Sequence, residues 1–157
     1  MDIKIVADSS CDLSQELKEE MNIDIAPLTL ILEGKEYIDN EELNVSEYIE
    51  NMANCKTSPK TACPSPQDYI EKYKGEESVF VVPLSSKLSG SYNSAVLAKN
   101  LFLDEIGNKF IHVFDSVTAS VGQTIISLKI NELSKLNLGE LEIVEKVNKY
   151  ISEKIGR

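Results

Sequence analysis

A chain of 157 residues with a net charge of −10 is sized for one domain, or for one domain plus part of another, and can bury a sizeable core. Its acidity and the lack of any basic stripe argue against nucleic acid as a partner. Three scattered cysteines, Cys11, Cys55 and Cys63, are too few for a disulfide framework and lack zinc-ligand spacing, so a reducing, cytoplasmic setting is expected.

The chain opens directly on Asp2-Ile3-Lys4-Ile5-Val6, without the pattern of a signal peptide, and no apolar run is long enough to span a bilayer. Residues 3–7 form a short apolar run that reads as a buried strand. Residues 13–21 have helical spacing, with Leu13, Leu17 and Met21 on one face and Asp12 as the expected cap. Residues 23–28 read as a second strand. Residues 29–32 and 36–38, joined through Glu33-Gly34-Lys35, read as a hairpin or flap. A helix is expected over 46–52, capped by Asn44 or Ser46.

Residues 54–66 form a polar stretch in which Pro59, Pro64 and Pro66 exclude a helix or a central strand. Pro66 opens a helix over 67–73. Residues 78–82 are another apolar strand, followed by Pro83 and a loop rich in serine. Helical character follows over 90–103, a strand over 109–114, and two amphipathic helices over 120–136 and 138–155. Strands alternating with helices predict an α/β fold: a parallel sheet with helices on both faces, plus the small β-hairpin.

Three of the apolar strands end in similar chemistry: Asp8-Ser9-Ser10, Ser85-Ser86 and Asp115-Ser116. In a parallel sheet these ends share one edge, which is where open α/β sheets bind ligands. Serine and aspartate at these positions also serve as helix caps. The loop from Leu84 to Ser94 is the most distinctive segment. Its Ser89-Gly90 stands just before a helix, where free N–H groups and a positive partial charge accept a carboxylate or phosphate. Gly90 lets a ligand approach the backbone, and Ser89 adds a hydroxyl donor. The loop has neither P-loop nor dinucleotide-binding spacing. Thr61, between Pro59 and Pro64, offers a rigidly held hydroxyl or forms an ordinary Ser/Thr turn.

Nucleophilic catalysis finds little support. Gly-x-Ser-x-Gly is absent, and the single histidine, His112, lies inside an apolar strand where a core role is expected. Asp8 and Asp12 suggest a phosphoaspartate site only weakly, Cys63 has no evident partner base, and no cluster has metal-ligand spacing.

Taken in order, several pieces resemble the DegV family of bacterial fatty-acid-binding proteins. They are Ile5-Val6-Ala7-Asp8-Ser9-Ser10-Cys11-Asp12-Leu13, Pro27-Leu28, Lys60-Thr61-Ala62-Cys63-Pro64-Ser65-Pro66, Leu84-Ser85-Ser86-Lys87-Leu88-Ser89-Gly90-Ser91-Tyr92, and Asp115-Ser116 with Ser120-Val121-Gly122-Gln123. The resemblance covers nearly the whole chain. It implies a protein that buries a long-chain fatty acid between two α/β domains, with residues 1–157 forming the first and the second absent from this chain. It also implies that Thr61, Ser89 and the N–H of Gly90 hold the carboxylate. Asp8, Ser9, Ser86, Ser91, Asp115 and Ser116 are secondary candidates along the same edge. The family pattern has Ser-Gln where this chain has Ala62-Cys63. Its members present the fatty acid to a separate ATP-dependent fatty acid kinase, which makes the acyl phosphate used in phospholipid metabolism. The binding protein does no phosphoryl chemistry, so no catalytic residue, metal or cofactor is assigned. Two other readings remain: a phosphotransfer or hydrolase enzyme using Asp8 or Ser89, and a non-catalytic protein-interaction module.

Overall fold

The computed structural model describes residues 2–155. Strand β1 (Ile3–Asp8) leads into helix α1 (Gln15–Met21). This helix starts two residues later than the apolar spacing predicts, and its cap is Ser14, not Asp12. The Ser14 backbone is extended and its hydroxyl accepts the Leu17 N–H at 3.2 Å, which leaves Leu13 free to fold onto the core. Strand β2 (Ile23–Ala26) stops short of Pro27. Strands β3 (Thr29–Leu32) and β4 (Lys35–Ile38) form the expected hairpin, with Lys35 inside the strand. Its two-residue turn has φ of 48° at Glu33 and 85° at Gly34, the left-handed pair that matches strand twist. Helix α2 (Val45–Ala53) takes Asn44 as its cap.

The polar stretch contains a strand that the prolines concealed. β5 (Lys60–Ala62) pairs antiparallel with β3, Thr61 opposite Leu30. It is an edge strand of only 3 residues, a place that tolerates flanking prolines. The small sheet is therefore three-stranded, in the order β4-β3-β5, and not a hairpin alone.

Helix α3 (Pro66–Tyr73) begins on Pro66, and a Ser65–Asp68 capping box closes its N-terminus. Strand β6 (Ser78–Val82), helix α4 (Ser91–Glu105), strand β7 (Ile111–Val113) and helices α5 (Val121–Ser134) and α6 (Glu140–Tyr150) complete the domain. Strand β7 is shorter than expected, although its flanks still bond to β6: the Val79 N–H reaches the Phe110 carbonyl and the Phe114 N–H the Val81 carbonyl, each at 2.9 Å. The last helix begins after Gly139 and ends in a π-helical turn, Ile151–Ile155.

The main sheet is parallel, in the order β2-β1-β6-β7. Its central strands are apolar on both faces because both are covered. Ile5, Phe80 and Val82 point into a core shared with α1, α5 and α6. Val6, Val79 and Val81 point the other way, against α3 and α4. Among the described residues, no helix is long and apolar enough to cross a membrane.

His112 sits on β7, half-buried, its ring 4.6 Å from that of Phe114 in an edge-on contact. Burial disfavours the charged imidazole and the Lys99 ammonium adds to this, lowering its pKa from 6.5 to about 4. The unfolded chain therefore binds a proton that the folded chain refuses. This contribution to stability is fully present above pH 6.5 and is lost as pH falls towards 4. Because the chain has one histidine, an NMR titration of its ring reads this directly. The expected midpoint lies near 4, and a midpoint at or above 6.5 contradicts the assignment.

Candidate functional site

The carboxyl ends of β1, β6 and β7 share one edge, and the segments after them are joined by hydrogen bonds. The centre of the junction is Asp8, fully buried at the end of β1. Its Oδ2 accepts the Leu84 N–H at 2.7 Å and the Ser91 hydroxyl at 2.6 Å. Its Oδ1 accepts the Ser10 N–H at 3.2 Å, the Ser10 hydroxyl and the Gln123 Nε2 at 3.1 Å. The Ser10 hydroxyl has one proton, shared between Asp8 Oδ1 and Gln123 Oε1, the latter 2.8 Å away. One side chain thus ties together its own strand end, the loop after β6 and the first turns of α4 and α5.

Two of these donors are main-chain N–H groups, one on each carboxylate oxygen, and a backbone donor cannot reverse its role. Both oxygens must accept, a demand that an ionised aspartate meets and an amide does not. Five donors compensate the burial of the charge.

The proton directions follow outward from Asp8. Ser91 spends its hydroxyl proton on Asp8, so the Tyr69 hydroxyl, 2.5 Å away, donates to Ser91. Burial holds the Tyr69 pKa well above its ordinary value, aided by the nearby Asp8 charge. The Ser91 N–H in turn donates to the Ser89 hydroxyl oxygen at 3.1 Å. The proton of Ser89 is thereby turned away from the helix and left for another acceptor. Gly90 is the N-cap of α4, with no side-chain cap of its own, and is exposed. The first-turn N–H groups of α4 lack acceptors inside the helix.

The small sheet is brought against this helix end. A Cβ placed on Gly90 would lie 3.3 Å from Cys63 Sγ, and that sulfur is 3.7 Å from the Ser94 hydroxyl. Cys63 follows β5 directly, so the strand carrying Thr61 ends at the start of α4. Thr61 itself is exposed, on the edge strand and not in a loop.

The other candidates divide. Ser9 accepts the Leu28 N–H at 2.9 Å and holds the entry to β3. Ser116 is fully buried and donates to the Pro83 carbonyl at 2.8 Å. Ser86 is exposed and donates to Asp115 through its hydroxyl at 2.7 Å and its N–H at 3.3 Å. Burial alone would raise the Asp115 pKa, but these bonds and one from the Val117 N–H outweigh it and hold the carboxyl below its ordinary value. Asp8, Ser91 and Ser116 are therefore committed internally, whereas Ser9, Thr61, Ser86, Ser89 and Gly90 reach the surface in whole or part. Tyr69 and Gln123 carry the junction, yet the sequence reading assigned them no role. The one local signal was the spacing of Ser120 and Gln123, which forms a capping box at α5.

The family profile described as "Uncharacterised protein, DegV family" matches residues 2–156. The chain belongs to the DegV family. This DegV chain is 41% identical over 153 residues to a DegV domain-containing protein of Streptococcus gordonii, an alignment that spans 96% of this chain and 54% of the relative. Its fold superposes with a TM-score of 0.90 on a DegV family protein of Ruminococcus gnavus with vaccenic acid, at 40% identity, covering 96% of this chain and 55% of that one. It superposes at 0.84 on the Streptococcus pneumoniae Fatty Acid Kinase (Fak) B3 protein loaded with linoleic acid, at 33% identity, covering 97% and 55% respectively. The chain spans about half the length of the relatives it matches. The expected DegV resemblance and α/β class both hold.

Beside the edge, this DegV domain exposes apolar surface. Val121, Ile125 and Leu128 form one stripe of α5, at i, i+4 and i+7, and Leu88 and Val117 lie exposed on the edge loops. The stripe runs about 10 Å along the helix, away from the edge where α5 begins.

Proposed function

We propose that this domain is the head-group half of a fatty-acid-binding protein. In this reading the Thr61 hydroxyl, the Ser89 hydroxyl and the Gly90 N–H hold the carboxylate of a long-chain fatty acid. The single observation behind it is the meeting of β5 with the N-terminus of α4, where Cys63 Sγ lies beside Gly90 and 3.7 Å from the Ser94 hydroxyl. A helix N-terminus with an outward hydroxyl beside it favours an anion. A carboxylate taken into an apolar slot needs such pairing, and charge-assisted bonds supply it. The tail supplies affinity, about 0.8 kcal/mol for each buried methylene. Its first contacts are the exposed apolar residues of α5 and the edge loops.

The remainder of the reading rests on the relatives. They are about twice as long as this chain, and two solved ones carry vaccenic and linoleic acids. In this reading residues 1–157 are the first of two domains, and the second closes over the tail; the relatives' greater length supports it. The whole protein, a cytoplasmic one, presents its fatty acid to a separate ATP-dependent kinase that forms the acyl phosphate, and itself transfers no phosphoryl group. Asp8 offers no competing nucleophile, being fully buried with donors on both oxygens.

The test is the affinity of the whole protein for vaccenic acid, with and without the double substitution Thr61→Ala/Ser89→Ala. A loss of at least about tenfold is expected, equivalent to about 1.4 kcal/mol. Equal affinity removes the head-group assignment.

A further inference from the structure

The candidate head-group residues do not stand on their own. Ser89 is oriented by the Ser91 N–H, and Ser91 is held by Asp8 through the 2.6 Å hydroxyl contact. Asp8 also fixes the other end of the same loop, through the Leu84 N–H. Both ends of the turn from Leu84 to Ser91 are thus fastened to one carboxylate oxygen, Oδ2. Tyr69 donates to Ser91 from α3 and closes off the alternative direction for the Ser91 proton. The Ser89 hydroxyl is the one whose proton these bonds leave unspent.

We propose that Asp8 is a positioning residue of the head-group site: an obligate carboxylate that sets the start of α4 and, through Ser91, turns the Ser89 hydroxyl towards the ligand. This inference rests on the head-group reading above. It gives Asp8 and Ser91 the role of supports, where the sequence expectation has them as secondary candidates for ligand contact. It also makes a directional claim about charge. Asp8 is an anion near a site for an anion, so removing its charge should by itself strengthen carboxylate binding. A weakening reports lost geometry.

The test uses the whole protein and two probes, vaccenic acid and the primary alcohol of the same chain. The alcohol shares the tail and lacks the charged head. Asp8→Asn keeps the shape but presents a donor to the Leu84 N–H or to the Ser10 N–H. Ser91→Ala cuts the link to α4 while leaving both backbone bonds to Asp8, and serves if Asp8→Asn does not fold. Each variant is expected to lose about tenfold in affinity for the acid and to hold the alcohol within about twofold of the unmodified protein. Equal losses for acid and alcohol mean a merely structural role and overturn the inference, as does acid binding that stays unchanged or tightens. Ser89→Ala separates the two levels. If it weakens acid binding while Asp8→Asn and Ser91→Ala do not, only the positioning role fails. If Ser89→Ala and Thr61→Ala also leave acid binding intact, the head-group reading fails with it.

Discussion

Replacing Gln123 with leucine is expected to destabilise the domain by about 3–5 kcal/mol. The amide is fully buried in the first turn of α5, and all its polar capacity is in use. Nε2 donates to Asp8 Oδ1 and to the Val82 carbonyl, both at 3.1 Å, and Oε1 accepts the Ser120 N–H at 3.0 Å. These partners also settle which way the amide faces, since the opposite orientation sets oxygen against oxygen at Val82 and N–H against N–H at Ser120. Leucine has about the same size and none of these atoms. It takes away the second donor of the Val82 carbonyl, which keeps its ladder bond to β1, leaves the Ser120 N–H without its partner, and withdraws one donor from a buried carboxylate. Each such loss costs about 1–3 kcal/mol. Urea unfolding measures the sum, with a lower midpoint and an unchanged slope expected. A loss below about 1 kcal/mol would mean that water replaces the amide and that the junction is wetter than its burial implies.

Phe80→Ala is expected to cost about 3–5 kcal/mol by a different route. Phe80 is fully buried in the middle of β6, on the face covered by α5 and α6. Its ring lies 5.3 Å from that of Phe110 and 6.3 Å from that of Phe114, the latter pair stacked at 13°. Removing the ring leaves a cavity whose walls belong to a central sheet and two helices, elements that cannot close in without moving the whole layer. Phe80→Leu fills most of the space and should cost about 1–2 kcal/mol. The ratio between the two variants is the informative quantity. Similar costs would indicate that the layer relaxes around the gap and that packing here is less rigid than the stacked rings suggest.

How much of this was legible in advance varied with the range of the forces involved. β1 and β6 read plainly because both of their faces are covered, which makes residues 5–7 and 79–82 continuous apolar runs. The hairpin read plainly because Glu33-Gly34 is turn chemistry between two strand-like segments. β5 was missed because Lys60-Thr61-Ala62 carries no apolar signal: its residues are all exposed, and its pairing with β3 is a backbone matter. The cap of α1 was misplaced because Asp12 and Ser14 are both good caps, and the fold of Leu13 onto the core decides between them. Asp8 was noticed for its chemistry, but its role depends on Gln123, 115 residues away, and on Ser91, 83 away. No local periodicity carries that information. The approach of β5 to Gly90 likewise depends on tertiary structure, and in the sequence it rested on the family resemblance alone.

The order of appearance during synthesis gives the Asp8 junction a further consequence. Its donors leave the ribosome in sequence: Ser10 at once, Leu84 and Ser91 much later, Gln123 last of all, 115 residues behind Asp8. At about 5–20 residues per second, the carboxylate waits on the order of ten seconds for its final partner. Strand β1, which must sit in the interior of the sheet, waits about two thirds as long for β6. Until then the edge of β1 opposite β2 lacks its partner strand, and the start of α4 lacks its anchor on Asp8. On the head-group reading, the site proposed at the start of α4 would therefore mature near the end of the domain's folding, after its sheet is assembled. If that reading holds, lipid uptake during translation would serve as a clock for this event, switching on only once the chain past Gln123 has emerged.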